Sequence, residues 1–218
     1  MANMRRIIDL LSRSQLDIPF GGQLTVDQIL GRGPLLRDLA QVGLKYLFIG
    51  IETGDPAAIG GMNKDVGRRQ GSWLDRTESA LDLLADAGIE CGGALLFGLG
   101  ESRADRRELF RRIRSWRRRS GLPVVLSLNW AVQHPLRGMD GGTGYTYTEW
   151  GTPPGPMLEA FNGFGEASIL YPLAGQKAPE LSEVREVLSM YQEAIAIEPA
   201  RTEDLQPERL FSGSWAAA

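Results

Sequence analysis

Residues 46–55 read Y-L-F-I-G-I-E-T-G-D, and this stretch decides the fold. The run from Tyr46 to Ile51 is apolar and aromatic, broken only by Gly50, and shows no alternation. That pattern predicts a strand covered on both faces. Glu52, Thr53, Gly54 and Asp55 then fall at the strand's C-terminal end, where α/β sheets and barrels place their ligand sites. A second stretch, 92–102 (G-G-A-L-L-F-G-L-G-E-S), repeats the scheme about one βα unit later.

Outward from these stretches the chain alternates. The pattern predicts a short amphipathic helix over 5–12, a strand over 20–26 with Asp27 at its end, and a helix opened by Gly33-Pro34 and stopped by Gly43. A loop over 54–72 leads to a helix over 75–87, a strand over 90–97, an Arg-rich helix over 103–119 and a fourth strand over 124–131. This order argues for parallel βα units with right-handed crossovers, an α/β fold of about four parallel strands with outer helices. Beyond Ala131 the stretch 133–155 is rich in Gly, Pro, Thr and aromatics (Tyr145, Tyr147, Trp150) and has no period. A short helix over 156–164 and a helix over 182–196, with Ser182 as N-cap, follow. The expected division is therefore 1–132 for the βα part, 133–198 for a loop-rich C-terminal extension ending in a helix, and 199–218 for a flexible tail.

Apolar content of 43% and charged content of 23% over 218 residues are those of a globular protein with a sizeable core. No apolar run approaches the roughly 20 residues of a membrane span. No signal peptide is recognisable either, so a cytoplasmic location is expected. A net charge of −3 makes no electrostatic case for nucleic acid. The 24 basic residues are 21 Arg and 3 Lys. There is one cysteine, Cys91, and one histidine, His134. One thiol and one imidazole cannot build a disulfide, an iron–sulfur site or a His-rich metal site within one chain.

The chemistry-bearing candidates sit at strand ends. A carboxylate such as Glu52, just past a buried strand, can accept charge-assisted hydrogen bonds from a ligand's hydroxyls or ammonium group, and Thr53 adds a hydroxyl. The plainer alternative is that Glu52 and Asp55 cap the following turn. Gly98-Leu99-Gly100-Glu101-Ser102 is neither a P-loop nor a dinucleotide fingerprint, and Glu101 and Ser102 are also ordinary helix-start residues. Gln133 and His134 follow the fourth strand at the same rim and are candidates for substrate contact; a His before Pro135 equally serves a loop. Nine arginines in 103–119 surround Leu109, Phe110, Ile113 and Trp116, the pattern of a solvated outer helix more than of a phosphate-binding one.

Taken together with their spacing, the two stretches resemble the radical SAM superfamily. Its fourth barrel strand often reads G-(I/V)-E-(S/T)-G with a Lys-containing segment after it, matched by Gly50-Ile51-Glu52-Thr53-Gly54 and then Gly61-Met62-Asn63-Lys64. The next helix and turn are matched by residues 80–84 and Ala87-Gly88-Ile89. The family's fifth strand carries G-x-I-x-G-x-x-E, matched at Leu96, Gly98 and Glu101, with Ala94 in place of the first Gly. The stretch 126–131, with Asn129, is similar to its sixth strand, and 22–27 with the helix 35–43 to its third. The flanking features are closest to the branch that includes many cobalamin-dependent members.

The resemblance implies a partial (β/α) TIM-like barrel over about residues 5–135. Glu52 and Thr53 would meet the ribose or amino group of S-adenosylmethionine, and Leu96, Gly98 and Asn129 would border its adenine. In the family a 4Fe–4S cluster is held by C-x-x-x-C-x-x-C after the first strand. This chain lacks that motif, so the expectation is a radical SAM-like protein or fragment: either another chain supplies the cluster, or this one is a truncated or non-catalytic relative. Cobalamin and the substrate are left open, as is whether the chain is itself an enzyme. The alternatives are a cluster-free TIM-like lyase or aldolase using Glu52, Asp55 and Glu101, and a non-catalytic small-molecule-binding or scaffold subunit. A half barrel exposes a parallel edge near 20–26, so a partner chain or self-association is expected there. Neither membrane nor nucleic acid is expected as a partner.

Overall fold

The computed structural model describes residues 2–14, 18–55, 71–131, 155–170 and 178–197. Its elements are α1 (Ala2–Ser14), β1 (Phe20–Gln23), α2 (Val26–Leu30), α3 (Gly33–Gln41), β2 (Leu44–Glu52), α4 (Trp73–Asp86), β3 (Glu90–Phe97), α5 (Arg103–Ser120), β4 (Val125–Trp130), α6 (Gly155–Phe161), α7 (Glu166–Leu170) and α8 (Leu181–Ile195). The four strands form one all-parallel sheet in the order β1-β2-β3-β4. Every crossover therefore steps one strand in the same direction, and right-handed crossovers then put every connecting helix on the same side.

Burial follows that geometry. On the helix side Leu47, Ile49 and Ile51 of β2, Cys91, Leu95 and Phe97 of β3, and Leu126, Leu128 and Trp130 of β4 are all buried. Their neighbours Tyr46, Phe48, Gly50, Ala94, Leu96, Ser127 and Asn129 are half-buried. The apolar run at 46–51, without alternation, predicts cover on both faces; among the described residues only one face has it. The period of two is invisible in the sequence because Tyr46 and Phe48 on the second face are as apolar as the core residues between them.

Local chemistry accounts for the other differences. The strand expected over 20–26 ends at Gln23, because Thr25 starts α2 instead: its hydroxyl accepts from the Gln28 N–H while the Gln28 side chain accepts from the Thr25 N–H. Helix α8 is capped by Glu180 rather than Ser182. Helix α7 has no counterpart in the sequence reading, being only five residues long. The C-terminal helices share the main core. Phe161 and Phe164 meet Trp130 edge-on, with ring centroids 6.1 and 5.7 Å away. Trp130, the last residue of β4, is thus a core residue.

Most of the arginines of α5 are spent within the fold. Its apolar stripe, Leu109, Phe110, Ile113 and Trp116, is fully buried, each such side chain contributing about 1.5–3 kcal/mol. Its basic flanks meet acidic stripes on both neighbouring helices. Arg112 pairs with Asp75 and Glu78 of α4, and Arg119 with Glu78 and Asp82. On the other side Arg103 and Arg107 pair with Glu186 of α8, and Arg106 with Glu183. Arg117 donates to the carbonyls of Pro123, Val124 and Ile197. The planar fork of guanidinium suits such multiple contacts better than an ammonium does, which gives the excess of Arg over Lys a structural use.

Candidate functional site

The strand register assembles most of the rim residues. Leu96 on β3 is directly paired with Asn129 on β4, and Glu52 ends β2 beside Leu95. Neighbouring strands lie about 4.8 Å apart, so Glu52, Leu96 and Asn129 span three adjacent strands at the C-terminal edge of the sheet. The half-buried face beneath them is lined by small residues, Gly50, Gly92, Ala94 and Ser127, with Tyr46 and Phe48 lying across Gly92 and leaving no room there for a Cβ.

The backbone at Glu52 is unusual. The register slips between Gly50 and Glu52, and Glu52 takes a φ of +63°, alone in that region among the described non-glycine residues. The Thr53 N–H donates to the Ile51 carbonyl at 2.9 Å, closing a tight three-residue turn around Glu52. Positive φ in a residue with a Cβ costs roughly 1–3 kcal/mol, and such strain gathers at ligand sites. Thr53 lies 1% exposed, and its hydroxyl has no hydrogen-bond partner among the described residues. Gly54 is needed for packing: a Cβ there would come 2.9 Å from the Asp105 carbonyl of α5.

The second loop is built around an internal anion. The Glu101 carboxylate accepts from the N–H groups of Gly98 and Leu99, both at 2.8 Å, and from Arg106 Nε at 2.7 Å. Gly98 has a φ of +83° and lies against the Trp130 indole with no space for a side chain. The Gly98 N–H is therefore engaged, and Glu101 is tied down, as a catalytic base in a lyase would not be. Asn129 uses its amide donors on the Leu95 carbonyl and the Ser127 hydroxyl, at 3.2 and 2.9 Å. Gln133 and His134 lie outside the described residues, as do Lys64 and the aromatic loop.

Cys91 is fully buried on the helix side of β3, and burial pushes its thiol up to about 12. A protonated, inaccessible thiol does not fit an iron–sulfur cluster. Among the described residues no group of three His, Cys, Asp or Glu side chains is placed to hold a metal ion, and no helix is long and apolar enough to cross a membrane.

Two features of the site escaped the sequence reading. The strain at Glu52 has no signature in residue type. Tyr46 and Glu90, paired in register at the opposite end of the open face, are both shifted upward by burial, Tyr46 also by the nearby Cys91 and Glu90. Only the placement of Gly92 beside Phe48 in the register explains how Tyr46 can lie flat there, and that pairing is non-local. No family model matches this chain, and no curated protein does.

Proposed function

We propose that the chain is the S-adenosylmethionine-binding part of a radical SAM-type protein, a partial (β/α) barrel in which the open face of the sheet is the barrel interior. The observation that carries this reading is the forced backbone at Glu52, at the C-terminal end of β2. There the motif Gly50-Ile51-Glu52-Thr53-Gly54 would present a carboxylate to the ribose or amino group of the cofactor. A singly wound sheet in sequential order supports the barrel, since its one-sided helix layer leaves the other face for a ligand or for closure.

On that face Gly50, Ala94 and Ser127 present little side-chain bulk beneath the rim, while Tyr46 and Phe48 cover Gly92 farther down, and Leu96 and Asn129 would flank the adenine of a ligand seated at the rim. Bound S-adenosylmethionine supplies an activated carbon–sulfur bond. The residues of this chain bind and orient it. The cluster does not fit the single buried thiol, so its ligands would come from outside these 218 residues, and no bond-breaking step is assigned to them.

Calorimetric titration of the chain with S-adenosylmethionine tests the reading. Saturable binding is expected, weakened about 10-fold or more in Glu52→Gln, since a hydrogen bond to a charged group is worth about 1.5–3 kcal/mol. Competition by adenosine should account for part of the affinity. Absence of any binding heat by the folded wild-type chain would sink it.

A further inference from the structure

The two edges of the sheet are finished differently. At β4 the outward backbone groups are capped by the chain itself. Tyr191 of α8 donates to the Leu126 carbonyl at 2.9 Å, Gly165 N–H to the Leu128 carbonyl at 2.7 Å, and Ser168 bonds both the N–H and the carbonyl of Trp130. At β1 nothing comparable occurs among the described residues. Phe20 and Leu24 turn their N–H groups toward β2, onto the carbonyls of Gly43 and Phe48. Backbone direction alternates along a strand, so Gly21 and Gln23 point theirs away from the sheet, and both residues are exposed.

The apolar surface gathers at the same edge. Of the five large apolar side chains exposed on the described surface, Ile7 (47%), Leu10 (58%) and Ile18 (55%) belong to α1 and to the approach to β1. Helix α1 packs beside α3 through Met4 and Ile8, so it forms the outer margin of the helix layer above the open strand. Ile7 and Leu10, three apart, form one stripe on its exposed side.

We propose that this edge joins two copies of the chain, with β1 pairing antiparallel to β1 of the second copy about a two-fold axis through Gly22. The surface is self-complementary in that register. Gly21 stands opposite Gln23 of the other copy, and these are the residues with outward N–H and C=O groups, so each pair exchanges two hydrogen bonds. An axis normal to the sheet keeps both helix layers on one side, so the Ile7/Leu10 stripe of one α1 meets that of the other. Arg6 and Asp9 flank the stripe, and antiparallel pairing brings their opposite charges across the axis. The capped β4 edge excludes the alternative in which β4 of one copy pairs with β1 of the next. This pairing does not depend on the rim reading, and it competes for the same edge with any strand that would complete a barrel.

The test uses the whole chain without ligand. Sedimentation equilibrium should show a dimer that weakens at least about 10-fold in Gln23→Pro, which removes an outward N–H the fold does not use, and in the pair Ile7→Asp with Leu10→Asp. Gly22→Cys is the decisive variant. Its Cβ meets only Leu47 Cδ2, at 3.6 Å, so the fold accepts it. On the axis its Cα lies about 4.5 Å from its symmetry mate, within disulfide range. Oxidation should give a covalent dimer, while Val125→Cys on the capped edge should not cross-link. A chain that stays monomeric at high concentration overturns the proposal and leaves the edge to a strand of a different protein. So does a dimer in which Gly22→Cys fails to cross-link.

Discussion

The indole N–H of Trp73 donates to the carbonyl of Ile51 at 2.9 Å in the core, and the same carbonyl also accepts the N–H of Thr53 at 2.9 Å. Both lone pairs of that oxygen are therefore used, one by the first turn of α4 and one by the turn that carries Glu52. The strained residue is held from below by a helix that begins 21 positions after the strand ends. Trp73→Phe keeps the ring and removes one of the two donors. It should destabilise the chain by about 1–2 kcal/mol in urea unfolding, and weaken any S-adenosylmethionine binding at Glu52 as well. Unchanged stability would show that the clamp is idle.

Glu52→Gly tests the strain itself. Glycine takes a φ of +63° without the Cβ penalty, so the variant should be more stable by about 1 kcal/mol than Glu52→Ala, which loses the same carboxylate contacts and keeps the strain. Binding of S-adenosylmethionine should fall in both variants. Strain relieved by glycine but not by alanine, with affinity lost in both, is the signature of a strained residue kept for a ligand; equal stability of the two variants would show that the backbone at Glu52 is not strained.

How much of this was legible in the sequence depends on the range of the interaction. The alternation of strands and helices came through because it rests on local period and on punctuation such as Gly33-Pro34 and Gly88. The start of α2 did not, although Thr25 and Gln28 spell a capping box, because Leu24 and Val26, two apart like strand residues on one face, carried the strand from Phe20 too far. The docking of α8 was illegible in kind. Glu183 and Glu186 meet Arg106 and Arg103 some 80 residues away, and no periodicity records such a pairing. At the site, Glu52, Leu96 and Asn129 could be named from motifs. That Glu101 is consumed by Gly98, Leu99 and Arg106 needed coordinates.

Arg106 makes that last point testable. It is 5% exposed, pairs with Glu101 and Glu183, and its guanidinium lies 5.4 Å from the centre of the Trp130 ring. Arg106→Ala would leave a buried carboxylate with two backbone donors and no counter-charge, a loss of about 3–5 kcal/mol. Arg111→Ala, which breaks an exposed pair with Glu108 on the same helix, should cost under about 1 kcal/mol. Urea denaturation of the two variants side by side checks the contrast, and equal effects would refute the buried role of Arg106.

Cys91 should be silent in the native chain. Its thiol is buried, donates to the Gly92 carbonyl at 3.3 Å, and is held protonated far above neutral pH. Thiol-specific labelling at mildly alkaline pH should proceed only as fast as the chain opens, and go to completion in urea. Anaerobic treatment with iron and sulfide should likewise leave no cluster absorbance on the folded chain. Rapid labelling without denaturant would contradict the placement of β3.

The pH dependence of stability has two opposing parts, and their signs can be worked out. Glu78, Glu108 and Glu186 are held below their ordinary value of 4.5 chiefly by hydrogen bonds from Arg119, Arg111 and Arg103, and Asp75 below 3.8 by Ser72 and then Arg112. A carboxylate with a depressed folded value stabilises the fold above its unfolded value, and that contribution is lost as pH falls through the folded one. Glu90 runs the other way. Burial raises it above 4.5, so the folded chain binds the extra proton and this term falls away as pH rises. On acidification from neutrality the melting temperature should therefore first hold or rise slightly, through Glu90, and then drop below about pH 4.5 as the four pairs protonate. Glu90→Gln should remove the first part and keep the second. Because the four pairs are partly exposed, about 1 M salt should flatten the acid limb while leaving the Glu90 limb nearly intact. Melting curves from neutral to about pH 3, in low and high salt, separate the two, and an acid limb insensitive to salt would mean that the arginine pairs of α5 are not its cause.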